Sequence, residues 1–117
     1  DIINFFNTTD KKFNLITAGD VLTYFGDLRK VFERAIKVLA EKGLFVFTVS
    51  ENSYNSDEYF LTMSGRFVHS SDYVLKLLKK NGFEKLLMER KALRNEGDRV
   101  VYGYVVVAEK IFTVEEK

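Results

Sequence analysis

The sequence contains no cysteine. Disulfides, thiolate catalysis, zinc–thiolate sites and iron–sulfur clusters are therefore excluded together. It has a single histidine, His69, so a multi-histidine metal site is excluded as well and no metal ligand set is expected. Proline is absent, while Lys, Asn, Phe and Tyr are frequent. Charge of one sign is also missing. Lys and Arg number 18 against 17 Asp and Glu, for a net charge of +1. That balance argues against a broad field for nucleic acid or membrane surfaces, so neither partner is expected. The longest uninterrupted apolar run, Tyr104 to Ala108, is far short of the roughly 20 residues that cross a bilayer. The N-terminus shows no basic segment followed by an apolar core, and a cytoplasmic protein is expected. What remains is a globular composition, with 46% apolar and 30% charged residues in a chain of 117. A single domain over 1–117 is expected, with a peripheral tail at 110–117.

Periodicity organises the chain. Asp1 can cap a short helix with Ile2, Ile3 and Phe6 on one face. Phe13 to Ala18, FNLITA, is a short apolar-rich run and predicts a buried strand that ends at Gly19. Asp27 is a good N-cap, and Leu28, Val31, Phe32, Ala35, Ile36 and Leu39 follow at helical spacing. Gly43 predicts the end of that helix, as a glycine at the C′ position. Leu44 to Val49, LFVFTV, predicts a strand covered on both faces and parallel to its neighbours. Residues 50–65 mix polar groups with Tyr54, Tyr59 and Phe60 and predict a long loop. Ser70 or Ser71 starts a second helix and Gly82 ends it. Phe83 to Lys91 predicts a strand with Leu86 and Met88 on one side and Phe83 and Leu87 on the other. NEGD at 95–98 predicts a turn, and Val100 to Ala108 the last strand of an antiparallel hairpin. The fold class expected is α/β, with four strands, three helices on the sheet's faces, and a parallel part that ends in the hairpin.

No G-x-G-x-x-G, Walker A, H-E-x-x-H or G-x-S-x-G motif occurs. The order of elements is more specific. The run FNLITA, GDVL, TYFGDL, RKVFERAIKVLAEK and GLFVFTV resembles the fourth strand, following helix and fifth strand of class I S-adenosylmethionine (SAM)-dependent methyltransferases. SGRFVHSSDYVLKLLKKNGFE resembles the helix and turn into the sixth strand, and the hairpin ending YGYVVVAEK resembles the sixth and seventh. The GRFVHS stretch is similar to a bacterial subgroup known as methyltransferase types 11 and 12. The resemblance runs from residue 1 to about 110. It covers only about half of the family's catalytic domain, because the glycine-rich loop after the first strand and the acidic residue after the second are absent. It implies a partial Rossmann-like sheet, the C-terminal half of a methyltransferase domain, whose parent transfers a methyl group from SAM to an unknown small-molecule or protein acceptor. The isolated chain is expected to be inactive and to bind SAM weakly or not at all.

By the same resemblance, Ala18, Gly19 and Asp20 line the methionine end of the cofactor, and Leu22, Tyr24 and Arg66 lie on the substrate side. Glu51, just beyond a strand's carboxyl end, is placed where ligands of open α/β sheets bind. It is a candidate to orient an acceptor amine or to take a proton. His69 is a candidate general base, or a hydrogen-bond donor that orders its loop. A competing expectation is a non-catalytic interaction module. Residues 13–18 would lie at an open sheet edge and pair with a second copy. A dehydrogenase half is a third, and it would require an all-parallel sheet.

Overall fold

The computed structural model describes residues 12–111. The helix expected near Asp1 and the end of the tail lie outside the described residues. Strand β1 (Phe13–Ala18) leads through a 3-10 turn at Leu22–Tyr24 into helix α1 (Arg29–Val38). Strand β2 (Leu39–Ser50) follows, and then two short strands, β3 (Tyr59–Leu61) and β4 (Phe67–His69). Helix α2 (Ser71–Lys80) precedes the hairpin of β5 (Phe83–Glu96) and β6 (Arg99–Lys110). The main sheet has the order β1-β2-β6-β5. β1 and β2 are parallel, while β2–β6 and β6–β5 are antiparallel. A mixed sheet with helices against it is the expected α/β class, and the all-parallel alternative is ruled out.

Why the core sits on one face follows from strand alternation. Ile16 and Ala18 of β1, Phe45, Phe47 and Val49 of β2, and Val106 and Ala108 of β6 are buried. Against them lie Val31, Phe32, Ala35 and Ile36 of α1 and Val74, Leu77 and Leu78 of α2. Both helices show apolar residues at three- and four-residue spacing, which makes one stripe each. Phe32 meets Phe45 and Phe47 edge-on, at 5.7 and 5.3 Å between ring centroids.

Several expectations are corrected. Helix α1 ends at Val38, five residues before Gly43, and Lys42 carries the left-handed turn at φ 62°. Gly43 is required for a different reason. A Cβ there would lie 2.8 Å from the Ala40 carbonyl oxygen and 3.0 Å from that of Phe13. Asp27 caps from one position early, because Leu28 is the N-cap and Asp27 Oδ1 accepts the Arg29 N–H at 2.9 Å. β2 is parallel only to β1, and its outer residues Leu44, Val46 and Thr48 are half-buried among the described residues. A continuous apolar run does not tell a strand covered on both faces from one half-covered on the second.

The segment 50–65 is not all loop, since β3 pairs with β4 antiparallel. In β5, a register shift between Lys85 and Leu87 breaks the alternation. Phe83 and Met88 therefore share the core face, and Leu86 and Leu87 are both exposed. A bulge of this kind leaves no mark in a period-two pattern. Ser70 is the cap of α2, its hydroxyl accepting the Tyr73 N–H at 3.1 Å. Gly82, at φ 90°, ends the helix as expected. The β5–β6 turn is two residues, Gly97 and Asp98, between the paired Glu96 and Arg99. No helix among the described residues is long and apolar enough to cross a membrane.

Candidate functional site

The carboxyl ends of the parallel pair β1 and β2 lie side by side, because Ala18 is in register with Phe47. The chain leaves β1 through Gly19 and Asp20. Gly19 faces open space among the described residues, with none of their atoms within 4 Å of where a Cβ would stand. Asp20 has φ 54° and donates its backbone N–H to the Thr48 hydroxyl at 3.0 Å, tying the exit of β1 to β2. Asp20's carboxylate accepts from Arg66 at 3.2 Å and from Arg94 at 3.0 Å. Arg94 also donates to Glu96 at 3.1 Å and to the Ser50 hydroxyl at 3.0 Å. One arginine thus connects the ends of β1, β2 and β5.

Glu51 follows β2 directly. Its backbone N–H donates to the Tyr102 carbonyl at 3.0 Å, which fixes the residue against β6. Arg90 grips its carboxylate through two nitrogens, at 3.1 and 3.0 Å, and the Tyr104 hydroxyl adds a contact at 3.3 Å. The Arg90 guanidinium holds the Glu51 carboxyl below the usual carboxylate range. An ionised, doubly gripped carboxylate orients a donor better than it takes up a proton.

Of these groups, Glu51, Arg66, Arg90, Arg94 and Glu96 border a cleft of about 240 Å³ between the β3–β4 hairpin and the β5–β6 hairpin. Tyr54 forms part of its wall. Asn52 holds Tyr54 there through an Asx turn. Its Oδ1 accepts the Tyr54 and Asn55 amides at 3.1 and 3.3 Å.

His69 lies elsewhere. It is fully buried, and its ring stacks parallel on Tyr73 at 6.4 Å. Nε2 is within 2.9 and 3.0 Å of the Phe25 and Gly26 carbonyl oxygens, so it carries the proton. Nδ1 is buried with no hydrogen-bond partner among the described residues. The β3–β4 hairpin closes over the same segment. A Cβ on Gly26 would meet Phe67 at 2.7 Å and Tyr59 at 2.8 Å.

Burial pushes the His69 pKa below its ordinary 6.5. The sign of the linkage follows: the unfolded chain binds the proton first as pH falls. Stability is complete above the unfolded value and declines as pH drops below about 6.5 toward the folded one. Urea unfolding between pH 7.5 and 5.5 is expected to show this decline, and His69→Gln to flatten it. Equal slopes in both proteins would refute the assignment. Asp27 and Glu51, whose pKa values are lowered by Arg29 and Arg90, act only in the carboxylate range below.

The structure therefore brings Asp20 and Arg66 together and sets Glu51 in the neighbouring cleft. Ala18 is in the core at the strand's end, Leu22 is fully buried, and Tyr24 is 64% exposed. Arg90, Arg94, Glu96 and Arg99 escaped the sequence reading. Their only signal is a charge-rich stretch that continues past Lys91 into the turn. No cluster of three or more potential metal ligands occurs among the described residues.

A family profile described as "Methyltransferase domain" matches residues 3–88. Among solved structures, a SAM-dependent methyltransferase from Methanosarcina mazei is similar at 15% identity and a TM-score of 0.73, over 91% of this chain and 64% of that one. The N-methyltransferase NodS from Bradyrhizobium japonicum WM9, in complex with S-adenosyl-L-homocysteine, is similar at 20% identity and a TM-score of 0.66, over 94% and 51%. The [4+2]-cyclase SpnF is similar at 16% identity and a TM-score of 0.69, over 94% and 53%. At these identities the likeness concerns the fold alone, and the presence of a cyclase shows that the fold does not dictate the reaction. The chain spans between half and two thirds of the length of these structures. No curated protein matches the sequence.

Proposed function

This chain belongs to the methyltransferase-domain family, and on that premise we propose that it is the C-terminal half of a catalytic domain that transfers a methyl group from SAM to an acceptor. The observation that carries the reading is the Asp20 bridge. Its arginine bonds join the exit of β1 to the cleft beside β2, at the strand ends where open α/β sheets place ligands.

The exit of β1, where Ala18 gives way to Gly19 with open space beside it among the described residues, suits the methionyl end of the cofactor. Bound there, SAM supplies a methyl group already activated on a sulfonium. The chain's own residues then have modest duties, to align the acceptor and exclude water. Glu51 orients the acceptor's nucleophilic group, and Arg66 and Tyr24 border the approach. Leu22 supports the segment from the core. His69 orders residues 25 and 26, a role supported by its burial and its two carbonyl partners, rather than acting as base. A bacterial, cytoplasmic protein is part of the same proposal.

A second reading is favoured by one observation. β1 is an edge strand among the described residues, and Leu15 on it is 54% exposed. As a non-catalytic interaction module, the chain would form a homodimer through residues 13–18. Isothermal titration and light scattering on one sample separate these readings. The half-domain is expected to bind SAM weakly or not at all. Micromolar binding by the isolated chain would overturn it, and a monomer at high concentration would remove the dimer. For the parent protein, label is expected to pass from methyl-tritiated SAM to an extract acceptor, and its absence would defeat the methyl-transfer reading.

A further inference from the structure

We propose that the cleft between the two hairpins is the acceptor subsite and that it takes a small organic acid, held by a carboxylate or phosphoryl group. The proposal rests on the methyl-transfer reading and narrows it to a substrate class. At about 240 Å³ the cleft lies below the usual range for drug-sized ligands, which suits a small metabolite rather than a folded partner.

Its charge points to an anion. Arg66, Arg90, Arg94 and Arg99 all line it. Three carboxylates answer them: Glu51 takes Arg90, while Asp20 and Glu96 share Arg66 and Arg94. Among the described residues no carboxylate lies within ion-pair distance of Arg99, so one positive charge is left over in the wall.

Arg99 is nonetheless held in place. Its guanidinium stands 5.0 Å from the centre of the Tyr54 ring and donates to the Tyr54 hydroxyl. Arg90 stands 4.3 Å over the Tyr102 ring. A tyrosine face fixes a guanidinium without neutralising it. Each guanidinium presents several N–H edges, and the edge that Glu51 takes from Arg90 leaves another available to a planar or tetrahedral oxyanion. A cationic ligand would have to displace arginines from all three carboxylates, whereas an anion adds to the site as it stands. Arg94 links this wall to Asp20, so an acid seated here lies next to the exit of β1, where the methyl donor is placed.

The test uses the 117-residue chain labelled with ¹⁵N-arginine, titrated separately with benzoate and inorganic phosphate at constant ionic strength, with chloride as control. The Nε–H resonances of Arg90 and Arg99 are expected to shift saturably with at least one of the two anions and not with chloride. Arg99→Gln is expected to weaken that binding about tenfold, as loss of a charged hydrogen bond would. Arg99→Lys is expected to be intermediate, because it keeps the charge and loses the fork. Saturation by benzoate alone assigns a carboxylate, by phosphate alone a phosphoryl group, and by both the shared chemistry. No saturable shift with either, or an unchanged affinity in Arg99→Gln, overturns the proposal. The titration contains no SAM. Its failure leaves methyl transfer standing, whereas intact anion binding without label transfer defeats the methyl-transfer reading and with it the acceptor role, leaving an anion site.

Discussion

Phe47→Ala is expected to lower the free energy of unfolding by about 3–5 kcal/mol, the range for deleting a buried aromatic ring. Phe47 is 1% exposed on β2, with β1 on one side and β6 on the other. Its neighbours in register are Ala18 and Val106, both small or medium in size. The ring packs on Phe45 at 4.7 Å and on Phe32 at 5.3 Å. Strand backbones on both sides limit how far the site can collapse, so most of the cavity persists. A small domain has about 5–15 kcal/mol in total, so the variant is left marginal. Urea unfolding followed by circular dichroism is the measurement. The midpoint is expected to fall with an unchanged slope. A loss under about 1 kcal/mol would mean that the ring does not occupy this core.

Gly103→Ala is expected to act as strongly through the opposite fault, overpacking. A Cβ at Gly103 would stand 2.2 Å from the Val49 carbonyl oxygen, 2.5 Å from Leu93 Cδ1 and 3.0 Å from Ser50 Cα. Leu93 can turn away. The Val49 carbonyl and Ser50 cannot move without parting β2 from β6, where Ser50 faces Gly103. Overpacking costs about 1–3 kcal/mol in ordinary cores and more where backbone is the obstacle. The damage falls on the candidate site, since the Glu51 N–H donates to the neighbouring Tyr102 carbonyl. Faster hydrogen exchange at the Glu51 amide, together with a lower midpoint, is the expected result. Wild-type exchange at Glu51 would show that the strands tolerate the methyl group.

Much of this fold is legible in the chain. The spacing of Val31, Phe32, Ala35 and Ile36 makes one helical stripe, and these residues are indeed buried on the sheet. FNLITA, LFVFTV and the final hairpin are strands, and the order strand, helix, strand carries the family resemblance. Errors arise where local pattern underdetermines the backbone. Gly43 looks like a helix stop, but the left-handed residue is Lys42, because Gly43 is needed for close approach to the Ala40 and Phe13 carbonyls. Leu86 and Leu87 defy alternation because the bulge inserts one residue. Tyr59 and Phe67 form a short hairpin whose reward is packing over Gly26, a residue far back in the chain.

By itself, then, the sequence determined the four strands of the main sheet, the apolar stripes of the two helices and the class of fold. Those depend on periodicity, capping and composition within a window of a few residues. The tertiary structure alone decided which charges meet. Arg90 reaches Glu51 across 39 positions and Arg94 reaches Asp20 across 74. It also decided that His69, a polar residue between two β-strand and helix signals, is sealed against two carbonyls. A charge's partner is set by where the sheet carries it, and no local pattern encodes that distance.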